Sequence, residues 1–237
     1  MSESLPHTQL YGVSLGPGDP DLITLKGLSI LKHADKIYYP GSLFKNGRKS
    51  SYSQTILEHY DLDASKWEGF FLEMNLNRIQ VQDIYEVTFQ SIKTDIENGL
   101  TVAIVSEGDL STFSSFSYIL EKVQAHQIPI ELIPGISSYA MSAAEHQSPL
   151  CLQNQKLIIL PRVQSVNELE EALAHFDTVV LMKISSVMDV VNTVLKNKAY
   201  TIRYSERLGT AEQYITTSLE DINQRKIPYF SLITIHQ

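Results

Sequence analysis

Leu10-Tyr11-Gly12-Val13-Ser14-Leu15-Gly16-Pro17-Gly18-Asp19 decides the fold class. Its first six residues read as a short apolar strand. The glycines that follow let the backbone turn tightly and approach a ligand closely. Asp19-Pro20-Asp21 then starts a helix: Asp19 caps, Pro20 suits the first helical position and Asp21 meets the positive end of the helix dipole. Leu22, Leu25 and Leu28 continue that helix to about His33. Strand, glycine turn and helix in this order open a βα unit. The block is not a dinucleotide fingerprint, because no third glycine stands three residues after Gly18. Nor is Gly41 to Ser50 a phosphate loop, since Gly47-Arg48-Lys49-Ser50 carries an extra residue before the lysine. An ordinary strand-to-helix turn is the plain alternative.

The same alternation recurs. Lys36 to Tyr39 reads as a strand closed by Pro40-Gly41, with a polar loop over 41–54. Arg78 to Asn98 is a long amphipathic helix stopped by Gly99, with Ile84, Val87 and Ile96 near one face. Thr101 to Val105 is a near-continuous apolar strand, as a covered parallel sheet requires. A helix over 112–125 and a strand at Ile130 to Ile133 follow. Strands at 156–160, 178–182, 201–204 and 229–235, with helices near 166–175 and 187–196, fill the second half. The pattern predicts an α/β protein with largely parallel sheets. At roughly 150 residues per domain, 237 residues suggest one large domain or two small ones; with a boundary placed loosely near 125–135, the expected domains are 1–125 and 126–237.

Two further turns follow strands. Ser106-Glu107-Gly108-Asp109-Leu110-Ser111-Thr112 offers backbone groups, a carboxylate and hydroxyls. Pro134-Gly135-Ile136-Ser137-Ser138 offers amides and hydroxyls. In open α/β sheets ligands bind beyond the carboxyl ends of strands. Each turn also has a structural reading, with Asp109, Ser111, Ser137 or Ser138 capping the next helix.

Charge and composition exclude several classes. Nineteen basic against 27 acidic residues give −8, which argues against a broad nucleic-acid-binding surface. The lone Cys151 excludes an internal disulfide and a cysteine-based metal centre. The seven histidines are scattered without ligand spacing, so no metal site is expected. The start, Met1-Ser2-Glu3-Ser4, has neither a basic region nor an apolar run, and no stretch reaches the roughly 20 apolar residues of a membrane helix. The expectation is a soluble cytoplasmic protein.

Taken together, the ordered turns resemble the tetrapyrrole methylase family of S-adenosylmethionine (SAM)-dependent enzymes. Gly12 to Asp19, Gly108-Asp109, Pro134 to Ser137, Val179 to Lys183 and Gly209-Thr210-Ala211-Glu212 match its blocks in sequence order. Ile37-Tyr38-Tyr39-Pro40, Phe113 to Tyr118 and Tyr229 to Leu232 are similar to the branch that methylates carbon 20 of precorrin-2. Three residues depart from that branch: Ser14 stands for glycine, Leu110 for the proline after Gly-Asp, and Leu72 for a proline. The resemblance implies SAM held in a cleft between two domains, usually in a homodimer. It implies SAM contacts at Pro17, Glu107, Gly108, Asp109, Thr112, Ser137, Ser138, Met182 and Gly209, and precorrin-2 or cobalt-factor II as substrate. Uroporphyrinogen-III methylation, diphthine synthesis and non-catalytic SAM or tetrapyrrole binding are the alternatives. Asp19 and Tyr229 are candidate proton acceptors, against readings as a helix cap and a packing residue.

The substrate so implied carries eight carboxylates, and a protein of −8 charge must hold it with local positive charge. Lys45, Arg48 and Lys49 lie in a stretch free of acidic residues from Pro40 to Leu57. They are the candidate substrate contacts; a solvated basic loop is the alternative.

Overall fold

In the computed structural model, which describes residues 9–73, 78–196 and 200–237, Leu10–Ser14 forms strand β1 and is buried at all five positions. Burial on both faces follows from the period of two. Tyr11 and Val13 pack on one side with Ile30, Leu31, Ile56 and Leu57. Leu10 packs on the other with Phe89, Ile92, Ile119 and Val123. The helices supplying these residues are α1 (Leu25–His33) and α2 (Tyr52–Leu57) on the first side. On the second are α3 (Arg78–Glu97) and α4 (Ser117–Ala125).

The sheet between them contains β1, β2 (Lys36–Leu43), β3 (Lys49–Ser50), β4 (Trp67–Glu73), β5 (Val102–Ser106) and β6 (Glu131–Ile133). β5, β1 and β6 are adjacent and parallel, with Val13 beside both Val105 and Ile133. β2 runs parallel to β5 and β4, and only the short β3 is antiparallel. This unit matches the expected parallel sheet. Its adjacent parallel strands also bring the three glycine turns to one sheet edge.

Several local expectations are revised. The helix predicted from Asp19 is broken: Pro20–Leu22 is a single 3₁₀ turn, Ile23 is extended, and Thr24 caps α1 by accepting from Gly27 N–H. Pro40-Gly41 does not end the second strand. β2 leaves β5 after Tyr38 and gains β3 at Ser42, so one side of the strand demands no donor at Pro40. The polar loop is a hairpin, β2 to β3, followed by α2. The helix expected from Thr112 begins at Ser117, because Phe113 has φ of 51° and the chain turns before it. β4 belongs to no expected strand.

The first compact unit ends at Ser137 and the second spans Ser138–Gln237. The boundary expected at 125 falls later because β6 pairs with β1. The second unit contains α5 (Ser138–Glu145), β7 (Leu157–Leu160), α6 (Val166–His175), β8 (Thr178–Met182), α7 (Met188–Leu195), β9 (Thr201–Glu206), β10 (Tyr214–Thr216), α8 (Leu219–Asn223) and β11 (Ser231–His236). Its sheet order is β10-β9-β11-β8-β7. Only β7 and β8 run parallel; the other three pairings are antiparallel, so this sheet is mixed rather than largely parallel. Leu169, Leu173, Val191 and Ile222 cover one face against Val179, Leu181, Tyr204 and Ile233. No helix among the described residues is long and apolar enough to cross a membrane.

A buried charge anchors the β9–β10 edge. Glu206 is 4% exposed and receives hydrogen bonds from the Tyr204 hydroxyl and from Arg225 Nη2 at 2.5 Å. The Arg225 guanidinium also stacks on Tyr214, 3.7 Å from the ring centre. Arg225 itself is exposed, so only the Glu206 end of the pair lies out of water; without Arg225 the buried carboxylate loses its counter-charge. Arg225→Met is expected to lower stability at neutral pH, with Arg225→Lys losing less. Urea denaturation of both variants checks this.

Candidate active site

The three turns are tied together by backbone and carboxylate hydrogen bonds. Beyond β1 and β5, Gly16 and Gly108 exchange two bonds: Gly108 N–H to Gly16 O at 2.7 Å and Gly16 N–H to Gly108 O at 3.2 Å. Both glycines have positive φ, +80° and +68°, where a side chain would be strained. Leu15 N–H donates to Ser106 O at 2.9 Å. Asp109 joins the second turn to the third. One of its carboxylate oxygens accepts Gly135 N–H at 2.9 Å. The other accepts the N–H and hydroxyl of Ser111. Burial works to raise the Asp109 pKa. The Ser111 and Gly135 hydrogen bonds outweigh it and hold the group below its ordinary value.

Glu107 points to a different neighbour. Its carboxylate accepts Ser53 N–H at 3.0 Å, in the first turn of α2. Burial of the carboxyl dominates over that hydrogen bond and pushes the pKa up. The bond links the turn after β5 to the segment that follows the basic hairpin. In that hairpin Phe44 N–H donates to Arg48 O and Gly47 N–H to Phe44 O. Lys45, Arg48 and Lys49 are all exposed. The Arg48 guanidinium lies over the Phe44 ring at 4.7 Å and the Lys49 ammonium over Phe71 at 4.6 Å. Within the described residues none of the three cations takes part in an ion pair.

The first unit therefore brings Pro17, Glu107, Gly108, Asp109, Thr112 and Ser137 to one edge of the sheet. Asp19 accepts Asp21 N–H at 2.9 Å, so its carboxylate acts as a cap in this structure. Space around Gly108 is open, with no atom within 4 Å of where a Cβ would stand. Exposed apolar Phe113 and Ile136 stand at the same turns, and exposed Leu132 lies in β6 beside Gly12.

In the second unit Met182, Gly209 and Tyr229 gather at one end of the sheet. Met182 pairs with Leu232, Lys183 N–H donates to Ser231 O, and Arg207 N–H donates to Phe230 O, both at 3.0 Å. Tyr229 is 46% exposed and meets Phe230 edge-to-face at 5.2 Å. Ser138 opens α5. Sequence reasoning did not find the roles of Gly135, Ser53 or Ser14. Their partners lie 26, 54 and 96 residues away, and no local signal marks such pairs.

Two outcomes follow from this geometry. A Cβ at Gly135 would stand 2.4 Å from Ser14 Cβ and 2.9 Å from Gly108 O. Gly135→Ala is therefore expected to cost about 1–3 kcal/mol through overpacking, measured by chemical denaturation. For Glu107, a raised folded pKa means that its stabilisation is complete below the ordinary carboxyl range and is lost as pH rises through the folded value. Glu107→Gln keeps an acceptor for Ser53 and removes that loss. The variant should gain in melting temperature over wild type as pH is raised from about 4 to 8. Parallel melting profiles would contradict the perturbed carboxyl.

The family model of tetrapyrrole (corrin/porphyrin) methylases matches residues 9–223. A protein of Methanocaldococcus jannaschii named probable cobalt-precorrin-2 C(20)-methyltransferase is 31% identical, covering 91% of this chain and 90% of its own. The cobalt-precorrin-2 C(20)-methyltransferase of Salmonella typhimurium is 26% identical over 97% and 96%. The X-ray structure of a cobalt precorrin-4 methyltransferase shares the fold, with a TM-score of 0.72, 20% identity and coverage of 96% and 94%. Fold, ordered turns and relatives converge, and the chain belongs to the tetrapyrrole methylase family.

Proposed function

We propose that this protein is a SAM-dependent C-methyltransferase of corrin synthesis that methylates carbon 20 of precorrin-2 or cobalt-factor II. The observation that carries the reading is the convergence of the turns at Gly16, Gly108 and Gly135 beyond three adjacent parallel strands. Relatives named for the C(20) reaction support the position of methylation. A homodimer in the cytoplasm belongs to the same proposal.

The turns fit SAM in two respects. The open backbone at Gly108 and the hydroxyls of Thr112 and Ser137 suit its ribose and amino-acid groups, and exposed Phe113, Leu132 and Ile136 suit apolar contact with a flat base. When bound, SAM supplies a methyl group activated by its sulfonium. Pro17, Glu107, Gly108, Ser138, Met182 and Gly209 are further proposed contacts. Asp109 supports the site indirectly, since both its oxygens are engaged with Gly135 and Ser111.

The protein's share of the reaction is alignment. Fixing two reactants in line contributes up to roughly 7–11 kcal/mol in favourable systems. Water takes the proton lost from the methylated carbon in this reading. Asp19 is engaged as a cap and Tyr229 in an aromatic pair, so neither is assigned as the base.

Lys45, Arg48 and Lys49 are the proposed carboxylate contacts. Replacing all three with neutral residues should raise the Michaelis constant for the tetrapyrrole by about tenfold or more and leave SAM affinity unchanged. An unaltered dependence on tetrapyrrole concentration would remove the hairpin from the substrate site. The activity itself is tested with methyl-labelled SAM and either precorrin-2 or cobalt-factor II. One methyl located at carbon 20 is expected. Binding of SAM without turnover of either tetrapyrrole would overturn the reading.

A further inference from the structure

Leu110 and Ser14 are far apart in sequence and bonded in space. Leu110 N–H donates to Ser14 Oγ at 3.0 Å. Ser14 is fully buried and Leu110 is 6% exposed, so water does not compete for the bond. An orphaned amide at this depth would keep its full desolvation cost.

Leu110 also holds a defined place in a turn. Thr112 N–H donates to Asp109 O at 3.3 Å, closing a four-residue turn with Leu110 second. Proline is favoured there, and a proline would present no N–H. A leucine at this position brings a buried donor that the turn itself does not use. Ser14 supplies the acceptor. Two of the three residues that depart from the branch pattern, Ser14 and Leu110, thus meet in one hydrogen bond, and each accounts for the other.

Ser14 also touches the third turn. Its Cβ packs against Gly135 so closely that no side chain fits there. Gly135 in turn donates to Asp109, the residue before Leu110. Ser14 therefore lies beneath the junction of the second and third turns and touches both.

We infer that Ser14 is a positioning residue for SAM, acting through Leu110 to fix the Gly108-Asp109 turn, and that Ser14 and Leu110 form an exchangeable pair. The inference rests on the SAM reading proposed above.

The test is a double-mutant cycle on the full chain with S14A, L110P and S14A/L110P. S14A keeps the Cβ against Gly135 and removes only the hydroxyl. It should weaken SAM binding in calorimetry, and raise the Michaelis constant for SAM, by about tenfold. Turnover at saturating SAM and the Michaelis constant for the tetrapyrrole should stay within about twofold, because other residues set them. L110P should change SAM binding little, and the double variant should return to the L110P value. Effects that multiply in the double variant would overturn the inference. So would S14A that melts earlier yet binds SAM as wild type does, the mark of a purely structural role. If L110P does not fold, amide exchange decides: the Leu110 N–H should exchange at least about tenfold faster in S14A than in wild type, and equal rates would overturn the pair. Wild-type protein that binds no SAM would overturn the cofactor reading together with this inference. SAM binding by wild type with multiplying effects would overturn the inference alone.

Discussion

Gly16 and Gly108 exchange two backbone hydrogen bonds just beyond the ends of β1 and β5. The parallel sheet brings those strand ends side by side, but it does not fix what the chain does after leaving them. The reciprocal bonds do. They hold two exits at ladder distance, in a conformation that glycine adopts at no steric cost. The third exit is drawn in by a carboxylate rather than by backbone, through Asp109 and Gly135 N–H. The geometry of the candidate site is thus set by strand order, two glycines and one acid.

That arrangement changes how Asp109 is understood. As a sequence feature it is a carboxylate in a glycine turn and reads as a ligand contact. In space its two oxygens already receive three protein donors, and its pKa is held down by them. Such an acid ties its own loop to the next one. Glu107 is the opposite case. Its donors, Ser53 N–H among them, are outweighed by burial, which raises the carboxyl. Two acids two residues apart therefore differ in charge state tendency because donors outweigh burial at Asp109 and burial outweighs donors at Glu107.

Much of this was legible in the sequence, for reasons specific to each element. Val102 to Ser106 is apolar on both faces because helices cover both sides of β5, so its run is continuous. The turns at Gly16 and Gly108 announce themselves because positive φ is a local demand, whereas Gly135 is required by its close packing on Ser14. Pro40-Gly41 misled because local chemistry favours a strand end there, whereas pairing with β4 carries β2 to Leu43. The mixed second sheet was misread because a buried antiparallel strand such as Ser231–His236 looks as apolar as a parallel one. Ser14 was visible only as a departure from a pattern. Its partner lies 96 residues on, and nothing local reveals that the two departures are one.

The second unit shows a complementary way of shaping a strand exit. Lys183 and Arg207 follow β8 and β9 with φ of 55° and 49°, values that side chains other than glycine rarely hold. Each such residue costs on the order of 1 kcal/mol and persists only where its surroundings overdetermine it. Here the surroundings are the entry to β11: Ser231 O accepts from Lys183 and Phe230 O from Arg207. Tyr229, beside them, lies under the Lys183 ammonium at 5.7 Å. In the first unit, unstrained glycines let the chain turn. In the second, the sheet's own hydrogen bonds hold two strained residues in place, and these strained positions directly follow Met182 and precede Gly209 by two residues. Within each unit, the backbone path beyond these strand ends is therefore set by hydrogen bonds to a neighbouring turn or strand.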